Sequence, residues 1–341
     1  MLSFASDYLT GAHPTVLQRL IETNGEQTLP YGEDVYTLRA AEKIRAAADC
    51  PHADVYLLAG GTQTNRTVID TALAPTEGVI CATTGHIHLH EAGAIEAGGH
   101  KVFTLPSHEG KLKVSEVEAF LTAFWQDENR AHMVAPAMVY ISHPTEYGTL
   151  YTNAELTALR ELCDRFSLTL FMDGARLGYG LAGRGTDLDL PRIAALCHVF
   201  TVGGTKVGAL CGEAVVYTAH NTPSRFMTSV KQHGALLAKG RLLGVQFDAL
   251  FTDGLYLSLG RVAVERAERM VRILRTKGYR FLLETPTNQQ FLILKNETVE
   301  TLRQKVSFSY WEPYDEAHTV VRFATSWATT EEELDALEAL L

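Results

Sequence analysis

The sequence predicts an α/β protein: a large unit built on a mainly parallel mixed sheet covered by helices, followed by a smaller α+β unit. Three observations carry this. Short apolar runs alternate with helically spaced apolar residues through roughly the first two thirds of the 341-residue chain. After about Val245 the pattern changes to one long helical stretch through Leu274, then to the isolated strand candidates Phe291 to Lys295 and Val320 to Ala324. Glycine-rich turns and charged residues fall directly after apolar runs, at the strand ends where open α/β sheets hold ligands. The expected division is residues 1–245 and 246–341.

The elements follow in order. Pro14 to Glu22 opens on a proline suited to a first helical turn and carries Val16, Leu17, Leu20 and Ile21 on one face, which predicts a short helix. Beyond the loop Gly25 to Asp34, the Ala- and Arg-rich run Thr37 to Cys50 has high helix propensity. Val55 to Ala59 reads as a strand ending in Gly60-Gly61-Thr62-Gln63-Thr64-Asn65, and Val68, Ile69 and Leu73 then return to helical spacing. Glycine-rich backbone at a helix start aims N–H groups and the positive helix end at a phosphate, although similar turns occur in loops that bind nothing. Val79 to Ala82, Lys101 to Leu105, Ala137 to Ser142, Leu168 to Met172, Cys197 to Val202 and Ala214 to Tyr217 read as further strands. Asn153 to Phe166, with Asn153 as cap and Leu156, Leu159, Leu162 and Cys163 inward, is the clearest helix. The capping box Thr330-Glu331-Glu332-Glu333 opens the last one.

Composition narrows the function. A net charge of −10 without a basic cluster argues against nucleic-acid and acidic-membrane partners, so an anionic ligand needs locally placed cations. Five cysteines with no C-x-x-C spacing fit reduced thiols in a cytoplasmic protein. No apolar stretch approaches the ~20 residues that span a bilayer.

Two stretches carry chemistry. In Phe200-Thr-Val-Gly-Gly-Thr-Lys206-Val-Gly-Ala-Leu210, a lone lysine stands among small and apolar residues between two strand candidates. Glycine leaves room for a bulky group near the backbone, and an apolar site favours the neutral amine, which can form a Schiff base. The alternative is a turn lysine with its amine in solvent. In Leu168-Thr-Leu-Phe-Met-Asp173-Gly-Ala-Arg176, an aspartate at a strand end calls for a partner. It is either a helix N-cap or the partner of a protonated pyridine nitrogen, which turns a pyridoxal phosphate ring into an electron sink. Arg176, three residues on, has the fork for a carboxylate. The alternating histidines of His86-Ile-His88-Leu-His90 suggest a metal tract, but no second cluster of ligands accompanies them and no metal is expected.

Gly60-Gly-Thr-Gln-Thr-Asn65, His86 with Glu91-Ala-Gly93, Asp173-Gly-Ala-Arg-Leu177 and Lys206, together with Tyr31-Gly-Glu-Asp34, resemble the low-specificity threonine aldolase and β-eliminating lyase family over nearly the whole chain. The resemblance implies a pyridoxal-phosphate enzyme of fold type I. It implies that Lys206 binds the cofactor covalently, that Asp173 stabilises the ring nitrogen, that Gly61, Thr62 and Gln63 hold the phosphate, and that His86 stacks on the ring and is a candidate to move the substrate hydroxyl proton. Ser6, Arg176 and Arg322 would orient the substrate carboxylate; Tyr31, and Lys239 or Arg241, would reach a neighbouring subunit's site in a homodimer or homotetramer. Family members commonly carry a second active-site histidine after the strand that here ends near Ser142, and His143 or Thr145 could take that place. Lys231 to Arg241 also departs from the family's glycine-rich pattern. The implied reaction is Cα–Cβ cleavage of threonine or a related β-hydroxy-α-amino acid such as phenylserine to glycine and an aldehyde. The alternative is β-elimination from an aromatic or other amino acid, and a remote one is a metal-binding α/β protein without the cofactor.

Overall fold

The computed structural model describes residues 2–341. Its strands are β1 Leu2–Ser3, β2 Asp54–Leu58, β3 Glu77–Ala82, β4 Lys101–Leu105, β5 Ala135–Ser142, β6 Thr169–Asp173, β7 Val199–Gly203, β8 Glu213–Tyr217, β9 Arg280–Leu283, β10 Gln289–Lys295, β11 Val306–Ser307, β12 Ser309–Pro313 and β13 His318–Ala324. β2 to β8 make one seven-stranded sheet in the order β2-β8-β7-β6-β5-β3-β4. β8 is antiparallel to both its neighbours, while β7-β6-β5-β3-β4 pair in parallel. Every residue of β7 and β8 is buried, as a sheet covered on both faces requires. Successive residues of β6 serve opposite cores: Phe171 packs with Val68, Ile69 and Phe226, and Met172 packs with Leu159, Leu162 and Phe247.

The second sheet is antiparallel, in the order β12-β13-β10-β9. β1 pairs with β11, and Phe4 is buried with Phe308, Phe323 and Met270. The amino-terminal residues are therefore held by the carboxyl-terminal part of the chain.

Three local expectations change. The late helical stretch is two helices, Arg241–Leu250 and Leu255–Thr276, broken where Asp253 and Gly254 both take positive φ. Thr152, not Asn153, caps the helix Asn153–Phe166, because its hydroxyl accepts from Glu155 N–H while the Glu155 carboxylate accepts from Thr152 N–H. The helix Pro14–Thr23 buries Val16, but Leu17 and Ile21 point out of the chain. The box at Thr330 is formed as expected. Among the described residues no helix is long and apolar enough to cross a membrane.

Candidate functional site

The carboxyl ends of β3, β5, β6 and β7 converge on two adjoining cavities. The outer one, of about 550 Å³, is walled by Tyr8, His86, Glu146, Arg176, Lys206 and Arg322 among others. The inner one, of about 40 Å³, shares His86, Glu146, Arg176 and Lys206 and adds Gly61, Asn65 and Asp173. Lys206, Asp173, His86, Gly61, Arg176 and Arg322, scattered over the sequence, are thus brought together.

The approach of Asp173 to Lys206 depends on glycine. A Cβ on Gly174 would lie 2.0 Å from Thr201 O, and one on Gly203 would lie 2.3 Å from Ala175 O. Gly204 is closed in the same way by Gly212 O at 2.9 Å and by the Phe247 ring. Gly174 and Gly203 therefore serve the contact between the ends of β6 and β7, Gly204 serves the turn to β8, and Gly203 and Gly204 do not leave the room for a bulky group that the sequence suggested. Nor is Lys206 in apolar company. It is partly buried beside Arg176, Asp7, Glu213 and Asp173, and desolvation together with the Arg176 charge lowers its pKa against the pull of the three acids. Burial pushes Glu213 up to about 8, and its Oε2 has no partner.

Asp173 accepts three hydrogen bonds: Ala175 N–H at 2.8 Å on Oδ1, and Asn65 Nδ2 at 2.8 Å and the Tyr140 hydroxyl at 2.6 Å on Oδ2. Burial would raise its pKa, but the His86 charge and these donors outweigh it, so the carboxylate stays ionised. Asn65 Nδ2 also donates to Glu91 Oε1 at 2.7 Å, and the same oxygen meets His86 Nδ1 at 2.8 Å. Asn65, Tyr140 and Glu91 had no assigned role in the sequence reading; the pattern hides Tyr140 as one more apolar strand residue.

The helix Gly61–Ala72 begins without a side-chain cap, and a Cβ on Gly60 or Gly61 would meet nothing within 4 Å. Its first N–H groups, those of Gly61, Thr62 and Gln63, have no intrahelical acceptor, and Gly61 lines the inner cavity. The Gln63 amide nitrogen is engaged elsewhere, with His233 O at 3.1 Å.

The two arginines are not equivalent. Arg176 is forked onto Asp7, with Nε to Oδ2 at 2.6 Å and Nη2 to Oδ1 at 3.0 Å, and Asn288 Nδ2 adds a third bond to Asp7 at 2.9 Å. The Arg176 charge and bonds overcome burial and hold Asp7 down at about 2. Arg322, in contrast, reaches only neutral acceptors: Gln289 Oε1 at 3.0 Å, Ala5 O at 3.2 Å and Ser309 Oγ at 3.3 Å. Burial and repulsion from Arg176 lower it to about 10. A buried cation without an acid is costly unless an anion joins it.

The remaining expected residues are placed as follows. Ser6 Oγ is buried without a partner and is absent from both cavity walls. Tyr31 stands outside them, half exposed on an apolar groove with Leu38, Met227 and Leu243, under the Lys231 amine. Arg241 is bound to Glu26 O and Thr23 O. His143 is fully buried, with Nε2 unpartnered and its pKa lowered to about 4 by burial, and it reaches neither cavity. Thr145 lines the inner cavity, but its hydroxyl is tied to that of Thr149 at 2.7 Å. The side chain of this loop that enters both walls is Glu146.

Comparison with known proteins agrees with this geometry. Residues 3–297 match the beta-eliminating lyase family. The chain is 30% identical to the low specificity L-threonine aldolase of Pseudomonas sp. (strain NCIMB 10558), over 98% of this chain and 96% of that one. It is 29% identical to the Pseudomonas aeruginosa protein of the same description, over 98% and 95%. Among solved structures, Leishmania major threonine aldolase superposes with a TM-score of 0.96 at 39% identity, covering 100% and 98% of the two chains. An aspartate aminotransferase from Thermus thermophilus, with a TM-score of 0.71 at 14% identity over 100% and 92%, shares the fold alone.

Proposed function

The chain belongs to the beta-eliminating lyase family, and from that premise we propose that it is a pyridoxal-phosphate aldolase cleaving Cα–Cβ of threonine and related β-hydroxy-α-amino acids to glycine and an aldehyde. The carrying observation is the meeting, across two adjoining cavities, of a lysine of lowered pKa that lines both, a buried ionised aspartate and an arginine with no acid of its own.

The residues fit the cofactor. The uncapped helix start at Gly61, Thr62 and Gln63, with open space where a Cβ would stand, suits a phosphate. Asp173, held ionised by its donors, suits a protonated ring nitrogen, and Lys206 suits the aldehyde carbon. His86, braced by Glu91 through Nδ1, is the residue we assign to the ring face. When bound, pyridoxal phosphate supplies the sink for the electron pair left at Cα. The protein supplies the rest. Arg322 takes the substrate carboxylate, which gives its buried charge a partner, and the Nη1 left free by Asp7 makes Arg176 a second donor. Ser6 Oγ, buried and unpartnered, is the neighbouring hydroxyl for that group. Two points of attachment, at Lys206 and at Arg322, orient the bond to be broken.

The reading takes residues 1–245 as the cofactor-binding unit and residues 246–341 as the unit that carries Arg322. It includes homo-oligomerisation, dimer or tetramer, through the face where Leu17, Ile21, Tyr31, Leu38 and Leu242 are exposed, with Tyr31 and Lys239 or Arg241 turned to a neighbour's site. It places the protein in the cytoplasm, in keeping with five unpaired cysteines.

Product analysis tests the reaction. With L-threonine the holoenzyme is expected to form glycine and acetaldehyde, and Lys206→Ala to lose both the product and the visible absorbance of the bound cofactor. The second reading, favoured by the family match, is β-elimination with Lys206 as base at Cα. Pyruvate and ammonia as products would establish it instead.

A further inference from the structure

Three acids line the two cavities, Asp173, Glu312 and Glu146, and of these only Glu146 stands in both walls. Asp173 accepts three donors, Asp7 holds the Arg176 fork, and Glu91 is shared between Asn65 and His86. Glu312, on the outer wall, accepts from the Tyr147 hydroxyl at 2.9 Å. Glu146 is buried and uses one oxygen: Oε1 accepts His86 N–H at 2.9 Å and the Ser142 hydroxyl at 2.6 Å. Among the described residues no donor reaches Oε2. The side chain stands in the walls of both cavities, between the inner set of Asp173 and Gly61 and the outer set of Arg322 and Tyr8.

We propose that Glu146 Oε2 is the group that takes the β-hydroxyl proton of the substrate and returns it in the reverse direction. The inference rests on the aldolase reading above. As the proton passes to Oε2, the O–H pair becomes the second C–O bond of the departing aldehyde, and the Cα–Cβ pair stays with Cα, which then takes a proton to complete glycine. The residue expected for this step, His86, is bound through Nδ1 to Glu91 and is assigned to the ring face, so proton transfer falls to its neighbour in the wall. Ser142 and the His86 N–H fix the Glu146 carboxyl in orientation without neutralising it.

The groups that face Glu146 are Cys81 near the end of β3, the imidazole of His86, Tyr140 on β5, Tyr147 and Tyr151 of the following loop, Asp173 at the end of β6, and Arg176 and Lys206 across the cavity. Burial outweighs the Ser142 bond and the His86 charge and raises the pKa of Glu146. A base of raised pKa is ionised only above it. The acid limb of cleavage should therefore lie above the ordinary glutamate range, near ~4.3.

Glu146→Gln keeps the shape and an acceptor for both donors but accepts no proton. In the holoenzyme, kcat for L-threonine cleavage is expected to fall by about 10²–10⁴. Exchange of the glycine Cα proton with solvent deuterium, which involves no β-hydroxyl, should fall by far less. The variant should lose the acid limb, and Glu146→Asp should recover part of the rate. Independently of activity, the infrared carboxyl band of wild type minus Glu146→Gln should titrate above the ordinary glutamate range. Cleavage and exchange falling together, cleavage staying near the wild-type rate, or a band titrating in the ordinary range would each overturn the assignment. A wild-type enzyme that exchanges glycine but cleaves no β-hydroxy amino acid would instead refute the aldolase reading, and this proposal with it.

Discussion

Replacing the two cavity arginines one at a time should separate stability from binding. Arg176 is forked onto a fully buried Asp7, so Arg176→Ala leaves an uncompensated carboxylate in the interior. Breaking such a pair costs about 3–5 kcal/mol. With an unfolding entropy of about 2.1 cal/mol/K per residue, a chain of 341 residues should then melt roughly 4–7 °C lower. Arg322 has no acid, so Arg322→Ala removes an unpaired buried charge and should leave the melting temperature of the apoprotein nearly unchanged. Its cost falls on the substrate: losing a charged hydrogen bond to a carboxylate is worth about 1.5–3 kcal/mol, or roughly 10- to 150-fold in KM or kcat/KM. The Arg176 effect also carries a pH signature. Asp7 is depressed from 3.8 to about 2, so its contribution is complete above pH 3.8 and is lost as pH falls through 2. The wild-type advantage over Asp7→Asn should therefore shrink by ~2 kcal/mol across that window. Calorimetry of the apoproteins and steady-state kinetics of the holoenzymes measure both arms. If Arg322→Ala melts as low as Arg176→Ala, or if its KM is unchanged, Arg322 is a structural cation and the carboxylate site lies elsewhere.

The glycines of the site divide in the same way. Gly174→Ala drives a methyl to 2.0 Å from Thr201 O and should cost about 3 kcal/mol or prevent folding, whereas Gly61→Ala, whose Cβ enters open space, should melt like wild type and weaken cofactor binding, as read by fluorescence titration of the apoprotein. Tyr140→Phe removes one of three donors to Asp173; the Asp173 pKa should rise, and cofactor affinity should fall by about fivefold with the loss of roughly 1 kcal/mol. Burial pushes the thiols of Cys81 and Cys163 up to about 12, so native protein should leave them unlabelled by a thiol reagent at neutral pH while denatured protein labels all five cysteines. Rapid native labelling of Cys81 would contradict the packing of β3.

Much of the site was legible because its parts obey local rules. Asp173 ends an apolar run, so it had to stand at a strand terminus; the glycine pair before the Val68 periodicity had to open a helix; Lys206 lies in the short turn between two buried strands. Those are statements about residues a few positions apart, where period and turn chemistry decide. The strands of the main sheet fall within two residues of their expected places for the same reason.

What the sequence by itself determined, then, is the α/β class, the strand ends and the identity of the lysine and aspartate that face each other across them. What only the tertiary structure decided is who pairs with whom. Asp7 meets Arg176 across 169 positions, Arg322 meets no acid, Asn65 ties Asp173 to the Glu91 and His86 pair, and Glu146 rather than His143 or Thr145 stands in both cavity walls. Electrostatic partners are chosen through space, in a buried medium where an unpaired charge costs several kcal/mol, and one-dimensional periodicity carries no record of that choice. Gly203, one of the glycines that the sequence reading assigned to a ligand's approach, instead holds the ends of β6 and β7 together, because only the fold reveals what stands opposite a missing Cβ.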